Sequence, residues 1–96
     1  MVMTGGVAWI REQDYRWARR SMIDGYLFPT AYQDWTATAE AEIRRSKVAG
    51  HVVEKIIIVP SQFEAWCRQR GLRMHSYARK LFAAEAAQHL RRARAL

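Results

Sequence analysis

A chain of 96 residues with a formal charge of +7, half of them hydrophobic and four of them Trp, describes one folded domain spanning 1–96 and excludes both a disordered chain and a second core. One Cys excludes an intrachain disulfide, and no apolar run approaches the roughly 20 residues of a bilayer span, so a cytoplasmic protein with no membrane partner is expected. The charge is unevenly placed: from Ser61 onward eight Arg and Lys face only Glu64 and Glu85, a balance that attracts phosphates or acidic partners, although 13 Arg to 3 Lys with abundant Ala also suits GC-rich codon usage and a solvated surface.

Residues 1–6 are short and Gly-containing and read as a loose N-terminal tail. Val7 opens a brief β-compatible run, the weaker of two strands. Between Glu12 and Met22, Tyr15, Ala18 and Met22 fall on one helical side while Trp17 points elsewhere, which predicts an exposed indole. The segment Asp24-Gly25-Tyr26-Leu27-Phe28-Pro29 breaks that helix, Gly permitting a left-handed stop and Pro29 disfavouring helical geometry at Phe28. Thr30 with Gln33 fits a capping box for a helix in which Tyr32, Trp35, Thr36, Ala39 and Ile43 share a face, ending near Ala49-Gly50.

Val52 to Val59, VVEKIIIV closed by Pro60, is the strong strand, and its consecutive apolar residues predict burial on both faces. Ser61 with Glu64 suggests a second capping box, for a helix presenting Phe63, Trp66 and Cys67 inward and stopped by Gly71. A last helix from about Arg73 buries Met74, Tyr77, Ala78, Leu81, Phe82 and Ala84, then turns polar and leaves 91–96 as a basic tail. The fold class expected is α+β: a small, mostly helical domain of about four helices with one strong and one weak strand.

The order strand, helix, break, helix occurs twice, so a β-α-α pseudo-repeat is one reading. Tyr15 matches Phe63 at an offset of 48, and Tyr32 and Glu40 match Tyr77 and Glu85 at 45. In that case Val7–Arg11 pairs antiparallel with Val52–Val59; otherwise a second copy supplies the strand's partner. The run Lys55-Ile56-Ile57-Ile58-Val59-Pro60 leading to Gly71 resembles the strand, first helix and glycine turn of the ribbon-helix-helix proteins, over residues 52–90. The resemblance implies DNA contact through polar alternate strand residues. Here Ile56, Ile57, Ile58 and Val59 depart from that pattern, which moves any contact to the basic helices.

His51, His75, His89 and Cys67 lack zinc-ligand spacing, and Gly5-Gly6, Gly25, Gly50 and Gly71 form no phosphate loop, so neither metal nor cofactor is expected. Cys67, beside Phe63 and Trp66, reads as a small buried hydrophobe. Glu40 and Glu85 read as ion-pair partners of Arg19, Arg20 or Arg68 rather than as an acid–base pair. With no catalytic set, a non-enzyme is expected. Two features remain. Arg16, Trp17, Arg19 and Arg20 interleave an indole with guanidinium groups, a mix suited to a partner or to bases and phosphates; a solvated face with Trp17 covering a loop is the plainer account. Arg68, Arg70, Arg73, Arg79 and Lys80 surround the turn at Gly71 and, with Arg91 and Arg92, form the expected nucleic-acid contact. The leading expectation is a small basic binding protein that contacts nucleic-acid backbone through Arg-rich helices. The alternative is a protein-interaction module or homodimeric adaptor that docks a partner without nucleic acid.

Overall fold

The computed structural model describes residues 4–95. Strand β1 (Thr4–Trp9) leads through a 3-10 turn at Glu12–Asp14 into α1 (Tyr15–Ser21), and a second 3-10 turn at Gly25–Leu27 leads into α2 (Tyr32–Val48). Strand β2 (Val52–Ile57) follows, then α3 (Pro60–Arg70) and α4 (Ser76–Ala95). The domain is therefore small α+β, with β-α-α run twice. No helix among the described residues is long and apolar enough to cross a membrane.

The strands pair in parallel, Thr4 opposite Val52 through to Trp9 opposite Ile57, and not antiparallel as the sequence suggested. The reason lies in the connection: two helices intervene and return the chain to the sheet's starting end, the long crossover that parallel pairing needs. The offset of 48 set by this register is the offset between Tyr15 and Phe63, and both are buried. The later matches diverge, since Tyr32 packs against the core while Tyr77 is 60% exposed.

β1 takes in Thr4, Gly5 and Gly6, which the sequence placed in a tail; residues 1–3 and 96 of the two expected tails lie outside the described residues. Gly6 explains the strand's composition. A Cβ there would sit 2.2 Å from the carbonyl oxygen of Ala83, so only glycine lets α4 lie this close to β1. The contact is made by Ala83 and Ala87, both fully buried. Closeness also corrects the phase expected for α4. Small side chains face the sheet, and Tyr77 and Ala84 turn outward. The expected basic tail continues the helix as far as Ala95, with Arg94 paired to Glu54.

The sheet is sandwiched, alternate residues facing opposite helices. Trp9 meets Trp35 of α2 edge-on at 5.1 Å, and Lys55 on the same side reaches Glu40 of α2 at 2.6 Å. Glu54 faces α4. The main core gathers Ile10, Tyr15, Ala18, Met22, Ile58, Phe63, Cys67 and Ala78. β2 is not buried on both faces: Ile56 and Ile58 are enclosed, but Ile57, on the α2 side of the sheet beyond the Lys55–Glu40 pair, is 40% exposed.

Gly71 ends α3 in the left-handed region (φ 65°), its N–H and that of Leu72 closing on Arg68 and Cys67 carbonyls, as its place in the sequence predicts. Gly25 works differently. Its φ is not positive, and a Cβ would lie 2.3 Å from the Arg19 carbonyl oxygen, so it is the close approach of the loop to α1 that demands glycine. Neither capping box forms. α2 starts behind Ala31 with no side-chain cap, and α3 starts on Pro60, whose fixed φ suits a first helical position. Glu64 is drawn instead to Trp17.

Candidate nucleic-acid interface

Helical spacing turns Tyr15 and Ala18 of α1, and Met22 just after it, into the core, which leaves Arg16, Arg19 and Arg20 outside. These three line one cavity of about 540 Å³ together with Glu12, Tyr15, Thr30, Tyr32 and Gln33. None of the three guanidinium groups makes an ion pair or hydrogen bond among the described residues. The start of α2 opens into the same space with no side-chain cap, and a helix N-terminus favours negative charge.

Two phenols stiffen the wall. Tyr15 donates its hydroxyl to the Pro29 carbonyl at 2.5 Å, and Tyr32 donates to the Ile10 carbonyl at 2.6 Å. Their rings meet edge-on at 5.1 Å. Burial pushes both phenol pKa values up, so they stay neutral and cannot offset the arginines. Glu12 is the one carboxylate in the lining.

Trp17 is not the exposed indole that its position suggested. It is half-buried against the core, and its Nε1–H donates to Glu64 Oε1 at 3.0 Å. The ring that interrupts the arginines ties α1 to α3 through this bond. On its other side, Glu64 lines an apolar depression of about 370 Å³ that includes Ser21, Cys67, Arg68, Arg73 and Met74. Arg16, Arg19 and Arg20 thus share α1 with a residue bound to the element that carries Arg68.

The remaining cations of the turn at Gly71 divide. Arg79 is a structural residue: its guanidinium donates to both Asp24 carboxylate oxygens at 2.8 and 2.7 Å and lies 5.0 Å from the centre of the Phe28 ring. Those bonds hold the Asp24 carboxyl below its ordinary pKa. Arg70 stacks on Trp66 at 4.5 Å and pairs with Glu85 at 2.6 Å, so it too is engaged. Lys80, Arg91 and Arg92 are exposed, the last two about 16 Å farther along α4 and apart from the turn. Glu40 and Glu85 bind Lys55 and Arg70, not the Arg19, Arg20 or Arg68 expected.

Sequence reasoning missed Thr30 and Gln33 as part of the cavity, having assigned them to a cap, and missed Asp24 as the partner of Arg79. Nothing local signals a pair separated by 55 residues. Among the described residues no group of three or more His, Cys, Asp or Glu gathers that could hold a metal ion, and the Cys67 thiol is buried, its pKa pushed up by desolvation. No family model, curated protein or solved structure matches the chain.

Proposed function

We propose that this is a small non-enzymatic binding protein that grips the phosphate backbone of a nucleic acid with α1, Arg16, Arg19 and Arg20 taking adjacent phosphates at the mouth of the cavity and Arg68 and Arg73 extending the contact. The observation that carries the reading is the division of the cations. Arg11, Lys55, Arg70, Arg79 and Arg94 are spent on carboxylates within the domain, whereas the three arginines of α1 form no ion pair among the described residues and line one concavity. Planar guanidinium groups suit phosphate oxygens, and the uncapped start of α2 adds a favourable field. A lining of cations and neutral phenols around a single carboxylate favours holding an anion over acid–base chemistry. Contacts of this kind carry no base information, so binding is expected to be independent of sequence.

Fluorescence anisotropy with a labelled DNA duplex and an RNA of equal length, at low and moderate salt, tests the reading. Three phosphates neutralised by α1, or five with Arg68 and Arg73 engaged, predict that log K falls with log salt at a slope of about −3 to −4.5 on duplex DNA. The triple variant Arg16→Glu/Arg19→Glu/Arg20→Glu should lose binding, while Arg44→Glu/Arg45→Glu, on α2 about 18–20 Å from its start, should lose much less. Absence of binding by the wild type at low salt, or equal losses in the two variants, refutes the proposal.

A further inference from the structure

The parallel register fixes which main-chain groups of the sheet lack partners. The Ile58 N–H donates to the Trp9 carbonyl at 2.9 Å, so Trp9 turns its N–H and C=O toward β2, and the groups of Ile56 and Ile58 turn toward β1. Alternation then aims the N–H and C=O of Val53, Lys55 and Ile57 away from β1, along the outer edge of β2. A two-stranded parallel sheet with an uncovered edge is a template for another strand.

The ground beside this edge is apolar. Lys55, Ile56 and Ile57 border a depression of about 660 Å³ whose far wall is Phe82, Ala86, Leu90 and Ala93 of α4, with His89 beside them and Gln62 of α3 at its margin. These four recur at helical spacing along one side of α4. Phe82 and Ala86 complete the core near Ile56, but Leu90 is 39% exposed and continues the stripe past the sheet. Ile57, at the edge itself, is exposed to the same degree.

We infer that the occupant is a second copy of this chain, joined by antiparallel pairing of β2 with β2 across a twofold axis. A strand edge pairs with its own copy antiparallel only when the axis stands perpendicular to the sheet, and such an axis keeps each face on its own side. It therefore lays the α4 stripe of one copy against the α4 stripe of the other, apolar against apolar. The alternation confines the register, since outward-turned residues must meet outward-turned residues. Centring on Lys55 pairs all three and sets Val53 against Ile57 of the other copy. Lys55, which would otherwise guard the edge, is held over the Trp9 ring at 3.9 Å and neutralised by Glu40. The outer edge of β1 does not offer the same contact. It lies in a groove lined by Trp35 and Glu42 of α2 and by Arg79 and Lys80 of α4, and the Tyr32 hydroxyl already occupies the Ile10 carbonyl. The result is a four-stranded sheet in the order β1-β2-β2-β1.

Light-scattering mass of the full chain at about 100 μM should give twice the chain mass of 11.2 kDa, with little change on adding salt. Ile57→Pro removes an N–H that makes no bond within the copy, and Leu90→Glu places charge on the stripe. Each should yield the single-chain mass with an unchanged far-ultraviolet dichroism spectrum, and Leu90→Glu decides if the proline variant fails to fold. A wild type of single-chain mass at that concentration, or a dimer that folded Leu90→Glu leaves intact, overturns the inference. Neither readout involves nucleic acid, so the result stands apart from the proposed function.

Discussion

Arg79 and Asp24 lie 55 residues apart and share two parallel hydrogen bonds, of 2.8 and 2.7 Å, that fasten the first turn of α4 to the loop after α1. Both side chains are largely enclosed, at 13% and 21% exposure, so removing the carboxylate leaves a guanidinium poorly solvated. Asp24→Asn should cost about 2 kcal/mol at neutral pH. The sign of its pH dependence follows from the lowered carboxyl pKa of Asp24. A depressed folded value gives stability that is present above the ordinary carboxylate range and lost as pH falls through the folded value. Urea denaturation should therefore show the gap between wild type and Asp24→Asn narrowing toward acid. A gap that stays constant would deny the pair its electrostatic role.

Gly5 and Gly6 are neighbours in β1 with opposite expected tolerance. Nothing lies within 4 Å of a Cβ built at Gly5, whereas one at Gly6 would meet the Ala83 carbonyl oxygen at 2.2 Å. Gly5→Ala should change stability by less than about 0.5 kcal/mol, and Gly6→Ala should cost about 2–3 kcal/mol by forcing α4 off the sheet. Thermal melts of the two variants provide the comparison; similar midpoints would mean that α4 moves aside freely.

Trp17 separates holding the fold from touching a ligand. Trp17→Phe loses the bond to Glu64 and should cost about 1 kcal/mol in stability. Under the proposed phosphate contact, affinity for nucleic acid should stay within about twofold of wild type, since the indole is committed to α3. A loss of about tenfold or more, the scale of a lost stacking contact, in a variant that melts normally would assign the ring to base contact.

Cys67 is buried, and desolvation raises its thiol pKa. Little thiolate is present at neutral pH, and a reagent cannot reach it without opening the core. Ellman's reagent should therefore label it only as fast as the domain opens, with the rate rising steeply in sub-denaturing urea. Labelling as fast as that of a free thiol in native buffer would contradict the burial.

The elements whose evidence is local were legible from sequence. The faces Tyr15–Ala18–Met22, Tyr32–Trp35–Ala39–Ile43 and Phe63–Cys67 face inward or line the core as their spacing predicts, and Gly71 stops α3 in a left-handed turn. What depended on distant partners was not. The direction of β1 was set by a crossover of two helices, the phase of α4 by a glycine more than 70 positions earlier, and the fate of Arg79 by an aspartate on another element. The capping boxes misled for a simpler reason, since Pro60 already opened α3 and Glu64 found an indole. Of the candidate site, the arginines of α1 were legible as a group, but a linear reading could not tell that the tryptophan among them turns inward.

The 48-residue offset between the paired strands also orders events on the ribosome. Strand β1 must wait for Val52–Ile57 before it has a neighbour, and for Ala83 and Ala87 before it has a roof. At translation speeds of about 5–20 residues per second, that interval lasts several seconds. Over that time the apolar run Val7-Ala8-Trp9 of the strand stays without its native cover and is open to chaperones or stray chains.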